Sequence, residues 1–102
     1  MLDSMKPKDE VVTASVQLVH AVGMHARPAV KLTKLAKRFH AQIWIRVADA
    51  VDWINAKSVA KVVAMRAARD STIEIKAHGP DAGAAVAALV DLIAMDFPDS
   101  GH

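Results

Sequence analysis

The sequence predicts an α+β fold: a two-layer open-faced sandwich, with a four-stranded antiparallel sheet covered on one face by three helices, in the order β-α-β-β-α-β-α. Three observations lead there. The strand-like segments alternate apolar and polar residues, so each has a single apolar face and the sheet is covered on one side only. Between them lie three segments whose apolar residues recur at helical spacing, and these helices must share the covered side. The chain has 102 residues and no cysteine, which suits one domain whose core forms without disulfide or Cys-type zinc staples.

The first strand is expected over Thr13–Val19, with Ala14, Val16 and Leu18 on one face and Ser15, Gln17 and Val19 on the other. Gly23 marks the turn that follows. Ala29, Leu32, Thr33, Ala36 and Phe39 then form the stripe of a helix. Gln42–Val47 alternates again, and Ala48-Asp49-Ala50 turns the chain into a short return strand over Val51–Ile54. Val59, Val62 and Val63 mark a second, shorter helix over Ser58–Met65. Ser71–Ala77 sets Ile73, Ile75 and Ala77 against Thr72, Glu74 and Lys76. Gly79-Pro80-Asp81 is a turn, with Asp81 as N-cap of a last helix that buries Ala82, Val86, Leu89 and Ile93. Residues 1–12, polar and of mixed charge, read as a leader, 13–96 as the domain and 97–102 as a tail.

Composition excludes several classes. Thirteen basic and 11 acidic residues give a net charge of +2, too balanced for a nucleic-acid binder. No apolar run approaches the roughly 20 residues that span a bilayer, and the N-terminus has no signal-type apolar stretch, so the expected location is cytoplasmic, away from membranes. Thiol chemistry is absent with cysteine. His20 and His25 have no carboxylate or cysteine set that completes a metal tetrahedron, so neither metal nor cofactor is expected.

The chemistry concentrates at Gly23-Met24-His25-Ala26-Arg27-Pro28-Ala29. Here a turn gives way to a helix, and Pro28 is tolerated because the first helical N–H groups lack intrahelical acceptors. Those free amides, at Ala26 and Arg27, and the positive end of the helix dipole favour an anion. A neutral imidazole is a competent nucleophile toward phosphorus near neutral pH, and its N–P bond is labile enough to pass the group on. His25 is therefore the expected phosphoryl acceptor, with the Arg27 guanidinium as a planar fork for phosphate oxygens. The competing assignment makes His25 a plain helix cap and leaves Arg27 solvated.

Arg27, Lys31, Lys34 and Arg38 share one helix face running away from that histidine, a stripe suited to steering an acidic protein partner or to simple solvation. Ser58 is a sound N-cap for the second helix. A phosphate there would be tolerated by the helix dipole, which makes it a candidate regulatory site as well.

The runs Gly23 to Ala29, Asn55-Ala56-Lys57-Ser58-Val59 and Ile73 to Gly79 resemble the HPr family, the histidine-containing phosphocarriers of the bacterial sugar phosphotransferase system; the resemblance covers about Thr13 to Ile93. It implies the same open-faced sandwich. It implies that His25 is phosphorylated on Nδ1 by enzyme I, charged from phosphoenolpyruvate, and passes the group to an enzyme IIA domain. Arg27 matches the arginine beside the phosphohistidine. Ser58 matches a serine that an HPr kinase/phosphorylase modifies in many members. Val59, Ala60 and Lys61 fall on the docking helix, with an apolar patch that is smaller and more basic than usual. His20 stands where many members have Asn, while Ala50 and Asp70 occupy turn positions where glycine is common. Such a protein is a monomeric phosphotransfer intermediate rather than a turnover enzyme.

Within this family the alternative is a carrier in a regulatory chain, nitrogen-related or feeding a kinase regulator, rather than in sugar uptake. A different class of reading is a single-stranded nucleic-acid binder that uses the open sheet face, with Trp44 stacking a base and Arg46 and Lys76 nearby.

Overall fold

The computed structural model describes residues 11–98. Its elements are β1 (Val11–Gln17), α1 (Ala26–Ala36), β2 (Gln42–Val47), β3 (Ile54–Asn55), α2 (Val59–Ala64), β4 (Thr72–His78) and α3 (Ala82–Ala94). The strands form one antiparallel sheet in the order β1-β4-β2-β3. The helices lie on one side of it, with α3 against β1, β4 and β2, and α1 against α2 and α3. This is the open-faced sandwich that the alternation predicts. Among the described residues no helix is long and apolar enough to cross a membrane.

Register explains why one face is greasy and the other polar. Ala14, Ile75 and Ile45 form one row across three strands, and Val16, Ile73 and Val47 form the next. Ile45, Ile73 and Ile75 are fully buried beneath the helices, as are Leu32 of α1 and Leu89 and Ile93 of α3. Burying each such side chain contributes about 1.5–3 kcal/mol. The intervening rows, Thr13–Lys76–Trp44 and Ser15–Glu74–Arg46, lie on the opposite face. There the Arg46 Nε donates to Glu74 Oε1 at 2.7 Å. Arg46 also stacks on the Trp53 ring at 4.3 Å, and Lys76 lies 4.5 Å from Trp53 and 5.0 Å from Trp44. Both cations of this open face thus rest against indole rings, Arg46 on Trp53 and Lys76 on both.

Several boundaries move. β1 begins at Val11, where Val11 and Val12 pair with His78 and Ala77, so ladder pairing reaches back into the expected leader. Residues 1–10, the rest of that leader, lie outside the described residues, as do residues 99–102 of the expected tail. The return strand expected over Val51–Ile54 shrinks to Ile54–Asn55. Val51 is solvent-exposed, and the chain there is shaped by Trp53 turning onto Arg46 and Lys76 instead of by ladder pairing. Phe97, assigned to the tail, belongs to the core at 4% exposure. Asp70, at a turn position where glycine is common, adopts left-handed backbone at φ 72°, whereas Ala50 has no positive φ.

Asp81 precedes α3 but does not cap it with its side chain. Its carboxylate instead accepts the amides of His40 at 2.8 Å and Ala41 at 2.7 Å, tying α3 to the loop before β2. These donors, the His40 amide foremost, hold its pKa below the ordinary 3.8 against an opposing effect of desolvation. A carboxyl with a lowered folded-state pKa stabilises the fold fully above its unfolded value and loses that contribution as the pH falls through the folded one. Asp81→Asn is therefore expected to melt below the wild type at neutral pH, with the difference closing as the pH falls through and below the ordinary carboxyl range. Melting curves across that range check it, and a constant difference would contradict it.

Candidate functional site

The site is built on the turn between β1 and α1. Gly23 takes φ 77° and closes the turn by donating its amide to the His20 carbonyl at 3.0 Å. A Cβ at Gly23 would stand 2.5 Å from the Ala67 carbonyl oxygen, so only glycine lets the turn lie this close to the chain after α2. Met24 donates its amide to that same oxygen at 2.9 Å and buries its side chain at 3% exposure. With Met24 anchored inward, the next residue faces out.

That residue is His25, exposed at the N-cap of α1 with extended backbone. Its carbonyl accepts the Ala29 amide at 3.0 Å, closing the first turn. Its ring makes no capping hydrogen bond, so it is not spent on holding the helix. Pro28 has no N–H. The amides of Ala26 and Arg27 are left at the exposed helix start with no backbone acceptor among the described residues. The first turn carries no acidic residue, so nothing there opposes an incoming anion. Arg27 is exposed, with no hydrogen bond or ion pair among the described residues. An exposed imidazole, an exposed arginine and two amides with no backbone acceptor among the described residues thus share one helix end.

Two residues complete the setting. His20 stacks on His25 with ring centroids 5.2 Å apart, and the two Nε2 atoms face each other at 3.2 Å. The other nitrogen of His20, Nδ1, lies 3.0 Å from Asp96 Oδ1, just past α3. Asp96 and Phe97 both adopt left-handed backbone, at φ 62° and 52°, and the Phe97 amide returns to the Leu92 carbonyl at 2.8 Å. Phe97 then packs edge-on to His20, and its carbonyl accepts from Lys31 Nζ at 2.9 Å. The sequence singles out His20 as an unusual residue near the turn, but nothing in local spacing points to Asp96, 76 positions away.

The remaining candidates are more dispersed. Along α1, Arg27 and Lys34 are exposed, as is Arg38 just beyond its end, whereas Lys31 is half-buried against Phe97 and is diverted from the expected solvent-facing stripe. Ser58 caps α2, its Oγ accepting the Lys61 amide at 3.3 Å. Ala60 and Lys61 are exposed and Val59 half-buried, on a helix that packs beside α1. Among the described residues no group of three or more His, Asp or Glu is arranged to hold a metal ion.

Comparison with known proteins places this arrangement in context. The sequence profile described as "PTS HPr component phosphorylation site" matches residues 12–95. The chain is 36% identical to the phosphocarrier protein HPr of Treponema pallidum over 89 residues, 87% of this chain and 99% of that one. It is 33% identical to the phosphocarrier protein NPr of Escherichia coli over 88 residues, 86% of this chain and 97% of that one. Among solved structures, an HPr from Bacillus anthracis superposes with a TM-score of 0.77 at 34% identity, covering 83% of this chain and 99% of its own.

Proposed function

Because the chain belongs to the HPr family of phosphocarrier proteins, we propose that His25 accepts a phosphoryl group on Nδ1 from phospho-enzyme I, itself charged by phosphoenolpyruvate, and delivers it to an enzyme IIA component. The Nδ1 lone pair attacks phosphorus, the N–P bond forms, and the bond to the donor breaks with its electron pair leaving on the donor. The observation that carries this reading is the exposed His25 ring at the mouth of α1, uncommitted to capping and beside open amides. Phosphoryl transfer asks for placement and charge stabilisation more than for covalent help, and that is what Arg27 and the amides of Ala26 and Arg27 offer.

Exposed Arg27, Lys34 and Arg38 line the approach for acidic partner surfaces, with Ala60 and Lys61 of α2 beside them. Ser58 is the site at which a kinase would regulate docking. A phosphate on its Oγ would sit at the start of α2 and add negative charge next to this basic surface.

Incubation with phosphoenolpyruvate and a bacterial enzyme I, followed by intact mass measurement, tests the proposal. One added phosphoryl group, lost in mild acid, is expected; an unchanged mass would refute it. Arg27→Ala is expected to slow acceptance by about tenfold to a hundredfold through lost charge stabilisation. Rapid-quench kinetics check this, and a rate equal to wild type would remove Arg27 from the mechanism.

A second reading has its own support: the similarity to the Escherichia coli NPr extends over nearly the whole of that protein. It assigns the carrier to a nitrogen-related regulatory chain. Side-by-side phosphorylation by enzyme I of the sugar branch and by its nitrogen-branch counterpart distinguishes the two by rate.

A further inference from the structure

We propose that Asp96 and His20 are positioning residues that fix the tautomer of His25 and so leave its Nδ1 as the free nucleophile; this rests on the carrier role proposed above. The chain of contacts runs Asp96 Oδ1 to His20 Nδ1 at 3.0 Å, then His20 Nε2 to His25 Nε2 at 3.2 Å. A carboxylate can only accept, so the hydrogen between Asp96 and His20 sits on His20 Nδ1. A neutral imidazole carries one N–H, which leaves His20 Nε2 as an acceptor. His25 must then supply the hydrogen from its own Nε2, and its Nδ1 keeps a bare lone pair.

The geometry around this chain is held independently of it. Phe97 is buried, its amide and carbonyl are both bonded, and its ring packs on His20, so Asp96 is presented by a fastened segment instead of by a loose terminus. His20 is pinned from both sides, by the Phe97 edge and by the stacked His25 ring. Arg27 is the other charged side chain on the adjoining helix turn, while Lys31 is engaged with the Phe97 carbonyl.

The chemical consequence follows from proton bookkeeping alone. Attack by Nδ1 forms the N–P bond and makes the imidazole ring cationic. The Nε2 proton stays where it was, donated to His20, so no proton need leave during the step, and the positive charge that develops is shared toward Asp96. When the group is passed on, the N–P electron pair returns to Nδ1 and the starting tautomer is restored. Without the carboxylate, His20 favours the Nε2–H form common to free imidazoles. It then confronts His25 with a donor, and His25 answers by moving its own hydrogen to Nδ1, which blocks the nucleophile.

The test uses the full chain with ¹⁵N-labelled histidine, at a pH where both rings are neutral, as wild type, Asp96→Asn and His20→Phe. Asparagine tolerates the left-handed backbone at 96, and phenylalanine keeps the ring packing at 20. Imidazole nitrogen shifts are expected to show His20 as the Nδ1–H tautomer and His25 as the Nε2–H tautomer in the wild type. In Asp96→Asn the His20 signature is expected to weaken and the rate of phosphoryl acceptance to fall about five- to tenfold, the scale of one lost charge-assisted hydrogen bond. In His20→Phe, His25 is left in the Nε2–H form common to free imidazoles and loses only the path that shares the developing charge toward Asp96, so the rate is expected to fall less than in Asp96→Asn. A wild-type His20 in the Nε2–H form overturns the proposal, as do Asp96→Asn and His20→Phe proteins that accept phosphate at the wild-type rate. If the wild type gains no phosphoryl mass, the carrier role fails and this role fails with it. A wild type that is phosphorylated beside variants unchanged in tautomer and rate sinks the positioning role alone.

Discussion

His25→Ala is expected to abolish phosphoryl acceptance entirely while leaving the fold intact. The imidazole is the nucleophile, and the neighbouring His20 does not stand in its place: His20 is half-buried, its Nδ1 is held by Asp96, and it lies outside the α1 N-cap position that adjoins the Ala26 and Arg27 amides. The fold should not notice, because the His25 ring is exposed and contributes no cap to α1. Exposed substitutions of this kind usually change stability by less than about 0.5 kcal/mol. Intact mass after incubation with phosphoenolpyruvate and enzyme I reads the first half, and thermal melting reads the second. An acid-labile phosphoryl group on the variant would move the acceptor elsewhere. A large drop in melting temperature would mean the ring holds structure.

The second large effect belongs to Gly23→Ala. Two costs coincide there: a left-handed backbone at φ 77°, and a Cβ placed 2.5 Å from the Ala67 carbonyl oxygen, a backbone atom that cannot swing away. Together they are expected to destabilise the protein by about 2–4 kcal/mol. The relief available is to part the turn from the chain after α2, which breaks the Met24 amide bond to Ala67. Because Met24 is the anchor that turns His25 outward, the variant should lose phosphoryl acceptance even at temperatures where it remains folded. Denaturant melts combined with transfer rates test this, and a variant as stable and as fast as wild type would contradict it.

The elements that the sequence exposes are those where one periodicity governs a whole segment. Gln42–Val47 and the Ile73-Ile75-Ala77 face are legible because every second residue meets the same helix layer. α1 is legible for the corresponding reason at helical spacing, down to Thr33, which the core accepts at 1% exposure. What escapes are contacts made across distance. Asp81 looks like a cap by position, yet its carboxylate serves amides 40 and 41 residues upstream. Phe97 follows the last helix and precedes a proline, the pattern of an ending, yet its ring closes the core. Asp96 shares no local pattern with His20, and a left-handed pair of residues brings them together. β3 is misjudged for a different reason: alternation says nothing of where an indole will settle, and Trp53 prefers the cations of the open face.

That open face gives the molecule a native optical gauge. The two tryptophans of the chain, Trp44 and Trp53, rest against Lys76 and Arg46 on the side of the sheet turned away from the helices, whereas His25 heads a helix on the other layer. Their fluorescence follows the integrity of the β-layer without a label or a substitution near the imidazole. Any change in that emission when the histidine is loaded would be a signal that had crossed from one layer to the other.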